Sequence, residues 1–154
     1  MDDFLNSAES KLVTFCSANG RGDLTSVAKY IHEKVLDNPQ HYQNNQLPAV
    51  GIYATGYIGD ENDRHNDGIR IYFEITDFGK AMATMDSNVK KLVAMIVNNL
   101  RRESPQLDQP GRGIDGTFDD VFVVNADVFP MDVKNTGLMI RAGIDVELYF
   151  VADK

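Results

Sequence analysis

The run from Leu138 to Val151 alternates without a break. Leu138, Ile140, Ala142, Ile144, Val146, Leu148 and Phe150 fall on one side, and Met139, Arg141, Gly143, Asp145, Glu147, Tyr149 and Val151 on the other. A period of two is the signature of a β-strand, whose successive side chains point to opposite faces. Because one side is wholly apolar and the other largely polar, the strand must lie in a sheet with one face covered. A slip of one residue would put the apolar row in water, so its register is strongly specified. The chain therefore has to supply partner strands and a layer that covers the apolar face.

Partner strands are legible upstream. Ile69 to Ile75 alternates with Ile69, Ile71, Phe73 and Ile75 on one face and Arg70, Tyr72 and Glu74 on the other, and Ala49 to Tyr57 is rich in strand-forming residues. Between them, Gly59 to Gly68 is an acidic, Asn-rich stretch that includes Asp60, Glu61, Asp63, Arg64 and Asp67, expected as an exposed and mobile hairpin loop. A fourth strand pattern, Phe118 to Phe129, joins the last one through a turn around Pro130 to Gly137. Both final patterns exceed the usual strand length of roughly five or six residues. An arm projecting beyond the sheet is expected from them.

The covering layer reads as helices. Phe4, Leu5, Ala8, Leu12, Val13, Phe15 and Cys16 suit one broad helical face, broken at Asn19-Gly20-Arg21-Gly22. Asp23 then offers an N-cap for a second helix with Leu24, Val27, Ala28, Ile31, Val35 and Leu36 at helical spacing, stopped at Asn38-Pro39. Val89, Leu92, Val93, Ile96 and Leu100 predict another helix, capped by Asp86 or Ser87 and ended by Ser104-Pro105. The expected fold is α+β: an antiparallel four-stranded sheet with helices packed on one face, in the order α(α)ββαββ. At 154 residues and 43% hydrophobic composition, one domain spanning residues 1–154 is expected.

Composition narrows the function. A formal net charge of -8 argues against a sequence-specific nucleic-acid partner, since Lys90-Lys91 and Arg101-Arg102 are the basic clusters and both fall in one predicted helix. No apolar run approaches the roughly 20 residues needed to span a bilayer, so no membrane association is expected. The first residues, MDDFLNSAES, are acidic where a secretory signal is basic and then apolar, which gives a cytoplasmic expectation. The single cysteine, Cys16, excludes a disulfide framework within the chain and a zinc site built on several thiolates.

No motif gathers into a catalytic constellation. No G-x-S-x-G turn occurs, and Cys16 has no local His partner and reads as a buried helical thiol. His32, His41 and His65 stand singly, without the spacing of a helical metal site, and His32 beside Glu33 reads as a surface residue of a helix. The loop from Asp60 to Gly68 holds oxygen ligands but breaks the calcium-loop order at Arg64 and His65. Gly20-Arg21-Gly22-Asp23 contains an Arg-Gly-Asp triplet that reads as a helix stop and a helix cap. Gly111-Arg112-Gly113 precedes a strand rather than a helix and lacks the third glycine of a dinucleotide fingerprint. Asp119-Asp120, or Asp145 with Glu147, would serve acid–base chemistry only around a pocket. No catalytic residue, metal or cofactor is expected, and the chain is not expected to be an enzyme.

In layout the sequence resembles the tail terminator, or tail completion, proteins of long-tailed bacteriophages and prophages. The resemblance is carried by the opening amphipathic segments, by Leu47-Pro48-Ala49-Val50-Gly51-Ile52 leading into a strand, by the Val89 to Leu100 helix, and by the ending Gly143-Ile144-Asp145-Val146-Glu147-Leu148-Tyr149-Phe150. It implies a structural subunit that closes into a hexameric ring, caps the tail tube, and meets a head or neck protein. It further implies assembly in the host cytoplasm and residence in the virion tail. Independently, a sheet with helices on one side leaves its other face to solvent or to a partner. That face would carry Arg70, Tyr72, Glu74, Met139, Arg141, Asp145, Glu147, Tyr149 and Val151, a mixture suited to a subunit interface. Two other readings stay open: a small-molecule-binding or enzymatic α+β domain, and a monomeric adaptor of another assembly.

Overall fold

The alternating run becomes the spine of the sheet. A computed structural model of the chain describes residues 4–34, 42–59, 68–103, 118–129, 132–134 and 137–150. The elements run α1 (Phe4–Cys16), β1 (Tyr30–Glu33), a 3-10 turn (Asn44–Gln46), β2 (Ala49–Ile58), β3 (Gly68–Gly79), α2 (Met82–Glu103), β4 (Phe118–Val128), β5 (Asp132–Lys134) and β6 (Gly137–Phe150). β6 pairs with β3 on one side, antiparallel from Leu138 against Gly79 to Tyr149 against Gly68, and with β4 and β5 on the other. It is thus embedded along its length, and the expected free arm does not form.

The sheet has six strands in the order β1-β2-β3-β6-β4, with β5 beside β6. Its middle, β2-β3-β6-β4, comprises the four antiparallel strands legible in the sequence. Two strands were not foreseen. β5 continues the line of β4, the two being bridged by the Phe129 N–H, which donates to the Arg141 carbonyl at 2.9 Å. β1 falls in the middle of the expected second helix and pairs parallel to β2, so the sheet is mixed rather than purely antiparallel.

The physical reason lies around Asp23. Its carboxylate accepts the Thr25 N–H at 2.8 Å and the Thr25 hydroxyl at 2.6 Å, closing a tight turn where a helix cap was expected. The Ala28 N–H returns to the Leu24 carbonyl at 2.8 Å, and the chain then extends, with Leu24 and Ala28 buried. One turn followed by a strand reproduces helical spacing over so short a stretch, and ladder bonds to β2 outweigh a weak helix propensity. Val35 and Leu36, the end of that expected helix, lie outside the described residues.

α1 buries Ala8, Leu12, Phe15 and Cys16, and α2 buries Met85, Val89, Leu92, Ile96 and Leu100. Both helices pack on one face, α1 against β1 and β2, α2 against β3, β4 and β6. They enclose one core with Ile52, Ile71, Phe73, Ile144 and Val146. α2 starts a turn earlier than expected: Met85 already donates to the Ala81 carbonyl at 3.0 Å, and Asp86 pairs with Lys90 at 2.9 Å from within the helix. α1 ends where the Gly22 N–H reaches back to the Phe15 carbonyl and the Leu24 N–H to that of Cys16, both at 2.9 Å. A side chain at Gly20 would stand 2.2 Å from the Phe15 carbonyl oxygen, so this reversal requires glycine.

The end of β1 is closed by a buried carboxylate. Lys34 has φ of 66° and makes the last ladder bond, its N–H to the Ile52 carbonyl. The next donor of β2 on that edge, the Ala54 N–H, meets no strand among the described residues and donates instead to Glu9 of α1 at 2.8 Å. Glu9 is 2% exposed, and Lys34 donates to its other oxygen at 2.7 Å. Helix and sheet edge are thereby pinned together.

Candidate functional site

The face of the sheet away from the helices is organised in rows set by strand register. Gly56, Arg70, Glu147 and Phe122 form one row across β2, β3, β6 and β4. Tyr53, Tyr72, Asp145 and Asn125 form the next, and Gly51, Glu74, Gly143 and Asp127 the third. Beyond these, Thr76 lies opposite Arg141. The residues expected at an interface, Arg70, Tyr72, Glu74, Arg141, Asp145, Glu147 and Tyr149, are thus brought together on one surface. Val151 lies outside the described residues, as do Asp60, Glu61, Asp63, Arg64 and Asp67 of the expected mobile loop.

The face is not uniformly open. Tyr42, from the connector between β1 and β2, is 8% exposed, Met139 is 3% exposed and Thr76 is fully buried, its hydroxyl without a hydrogen-bond partner among the described residues. One end of the face is therefore closed by the chain itself, and Met139 is part of that closed end instead of a contact surface. The other end is open, with Arg70, Tyr53 and Asp145 exposed.

Both flanking strands carry a β-bulge, one on each side of the row formed by Ala54, Ile71, Val146 and Val123. Thr55 interrupts the register of β2 between Ala54 and Gly56, and Val124 interrupts that of β4 between Val123 and Asn125. Bulges bend and twist a strand. Between the two lies a shallow depression of about 240 Å³, lined by Thr55, Arg70, Asn125, Asp145 and Glu147, with Val124 at its rim.

The charges here are exposed to one another but not neutralised in pairs. Among the described residues no ion pair joins Arg70 or Arg141 to Glu74, Asp145 or Glu147. Burial raises the Glu74 carboxyl above the ordinary carboxylate range, with Arg141 opposing the shift. Tyr72 is raised by burial and then by the Glu74 and Asp145 carboxylates. Its ring lies over Gly143, where a Cβ would stand 2.4 Å from the phenol oxygen. The Tyr149 hydroxyl donates to Glu147.

His32, expected on a helix surface, is a half-buried residue of β1. It stacks on Tyr30, with centroids 4.8 Å apart and planes 18° apart, and lies beside Tyr42. Its Nδ1 is 3.0 Å from the Glu33 carbonyl, which can only accept, so Nδ1 carries the proton. Nε2 therefore accepts the Tyr42 hydroxyl proton at 2.6 Å. Burial lowers the His32 pKa below its ordinary value and raises that of Tyr42, so the pair stays neutral and acts as a latch that holds the connector on the sheet. The spacing of Tyr30 and His32, two residues apart as on a strand face, was the available signal for this cluster.

Other singled-out residues are placed plainly. Cys16 is buried in α1, its thiol pushed up to about 12 by desolvation and then by Asp23. Asp119 and Asp120 lie in β4. His41, His65 and Gly111 to Gly113 lie outside the described residues. Among the described residues no group of three His, Cys, Asp or Glu could hold a metal ion, and no helix is long and apolar enough to cross a membrane.

No protein-family model matches the chain, and no curated protein sequence matches it significantly.

Proposed function

We propose that this chain is a structural, non-catalytic subunit that assembles head to tail into a ring, of the kind that terminates a phage tail tube and joins it to a head or neck protein. The observation that carries the assembly reading is the outer edge of the sheet. Among the described residues, five of the eight exposed large hydrophobic side chains lie along β4, β5 and their junction: Phe122 at 59%, Val124 at 48%, Val128 at 37%, Phe129 at 39% and Val133 at 81% exposure. An apolar edge of this length is what soluble chains ordinarily avoid.

The bulges in β4 interrupt its hydrogen-bonding edge. A neighbour is accordingly met by side chains and not by addition of a strand. The opposite edge, β1, is short, parallel and pinned by Glu9, so the two edges differ and a contact made through β4 and β5 is heterologous. Heterologous contacts close into rings when the rotation permits. Six copies, the tail tube protein and a head or neck protein as partners, and residence in the virion tail belong to the same proposal, and rest on the resemblance in layout.

Light scattering and negative-stain microscopy of the purified chain test this reading. Rings of about six copies are expected from the wild type and none from Val124→Lys or Val133→Asp. Rings that persist in both edge variants would place the contact elsewhere.

A further inference from the structure

The open rows of the sheet are self-complementary, and we infer that this face closes on the same face of a second copy about a two-fold axis parallel to the strands, midway between β3 and β6. Such an axis lays β3 over β6 of the other copy and β2 over its β4, keeping each row on its own row. In the first row Arg70 then faces Glu147 and the exposed Phe122 ring faces Gly56, beside which the Arg70 guanidinium lies. In the second row Tyr72 faces Asp145, and Tyr53, 43% exposed, faces Asn125 at the edge of the depression. In the third, Glu74 faces Gly143, which the Tyr72 ring of its own chain already covers.

In the first two rows these juxtapositions set a cation on an anion, a phenol on a carboxylate or amide, or a large group on a glycine. This is the reciprocity an isologous contact demands. The charges concerned have no ion-pair partner within the chain among the described residues, so meeting a second copy costs no existing pair. The third row is partly closed by Tyr42 and His32, which leaves the first two rows to carry the contact.

Size sets the strength. Four strands about 4.8 Å apart and two rows about 6.8 Å apart give a footprint of roughly 260 Å² on each copy. That is about a third of the ~800 Å² per partner of a stable interface, so the dimer is weak and forms at micromolar concentrations or above. Facing sheets cross at about 30°, so the central pair, Arg70 with Glu147, keeps its alignment best.

This contact does not depend on the ring, and it is read most cleanly when edge contacts are removed. In a Val133→Asp background, sedimentation of concentrated protein is expected to show a dimer. Adding R70E or E147R sets like charges face to face and should weaken that dimer at least tenfold, with the far-ultraviolet circular dichroism unchanged. An equimolar mixture of the R70E and E147R chains restores both pairs across a two-fold axis and should recover a one-to-one heterodimer. A background protein that stays monomeric near millimolar concentration overturns the inference. So do single variants that dimerise as the background does, or a mixture that fails to recover. A dimer in this edge-deficient background neither requires nor excludes the ring, so the two readings fail separately.

Discussion

Replacing Glu9 with alanine tests how α1 terminates the β1 edge. The Ala54 N–H would lose its acceptor at a site where Glu9 is 2% exposed, and no strand among the described residues is there to take over. Leaving a buried donor unsatisfied costs about 1–3 kcal/mol, and loss of the buried methylene adds about 0.8 kcal/mol. Lys34, whose side chain is 57% exposed, returns to water and is left out of the sum. The expected destabilisation is therefore about 2–4 kcal/mol. Glu9→Gln keeps a carbonyl for Ala54 and should lose less than half as much. Urea unfolding followed by circular dichroism reads both, as a shift of midpoint at constant slope. An alanine variant within about 0.5 kcal/mol of wild type, or equal losses for both variants, would refute the reasoning, because the Ala54 bond would then carry no weight.

Further outcomes follow from the same structure. Phe73→Ala, at a fully buried position in the middle of the sheet, should cost about 3–5 kcal/mol in the same assay. Cys16, buried with its pKa pushed up to about 12, should resist a thiol reagent at pH 8 until the chain unfolds; rapid labelling of folded protein would contradict its placement. His32 has a folded pKa below its ordinary 6.5, so the unfolded chain binds the proton more tightly. Its contribution to stability is complete above 6.5 and is lost as pH falls through that value towards the lowered one, and His32→Asn should remove this slope. The raised Glu74 and Asp77 act in the opposite sense, their contribution complete below their unfolded values and lost as pH rises through the folded ones. A His32→Asn chain with the wild-type pH profile between 7 and 5 would show that the latch does not titrate.

Much of the architecture was legible because period-two alternation survives wherever one sheet face is buried: Ile69 to Ile75 and Leu138 to Phe150 needed no tertiary information. The helix stripe of Val89, Leu92, Ile96 and Leu100 was equally plain. What escaped was decided by contacts distant in sequence. Tyr30 to Glu33 is a strand because β2 lies beside it, and Leu24, Ala28 and Ile31 mimic a helix by chance of spacing. Strand β5 is too short to leave a pattern of its own. The open-face residues could be named from parity alone. Their rows, the paired bulges at Thr55 and Val124, and the closure of one end by Tyr42 required the register and the path of the connector. Glu9 gave no sign in sequence, since a glutamate on a helix reads as solvent-facing until its partner strand is known.

Assembly is the central claim, and the mass of the native particle tests it most directly. Native mass spectrometry of the unmodified chain, over a dilution series from high micromolar concentration, is expected to show a discrete ring of about six copies, or a double ring if the open faces also meet. A single 17.2 kDa monomer at every concentration would contradict the account.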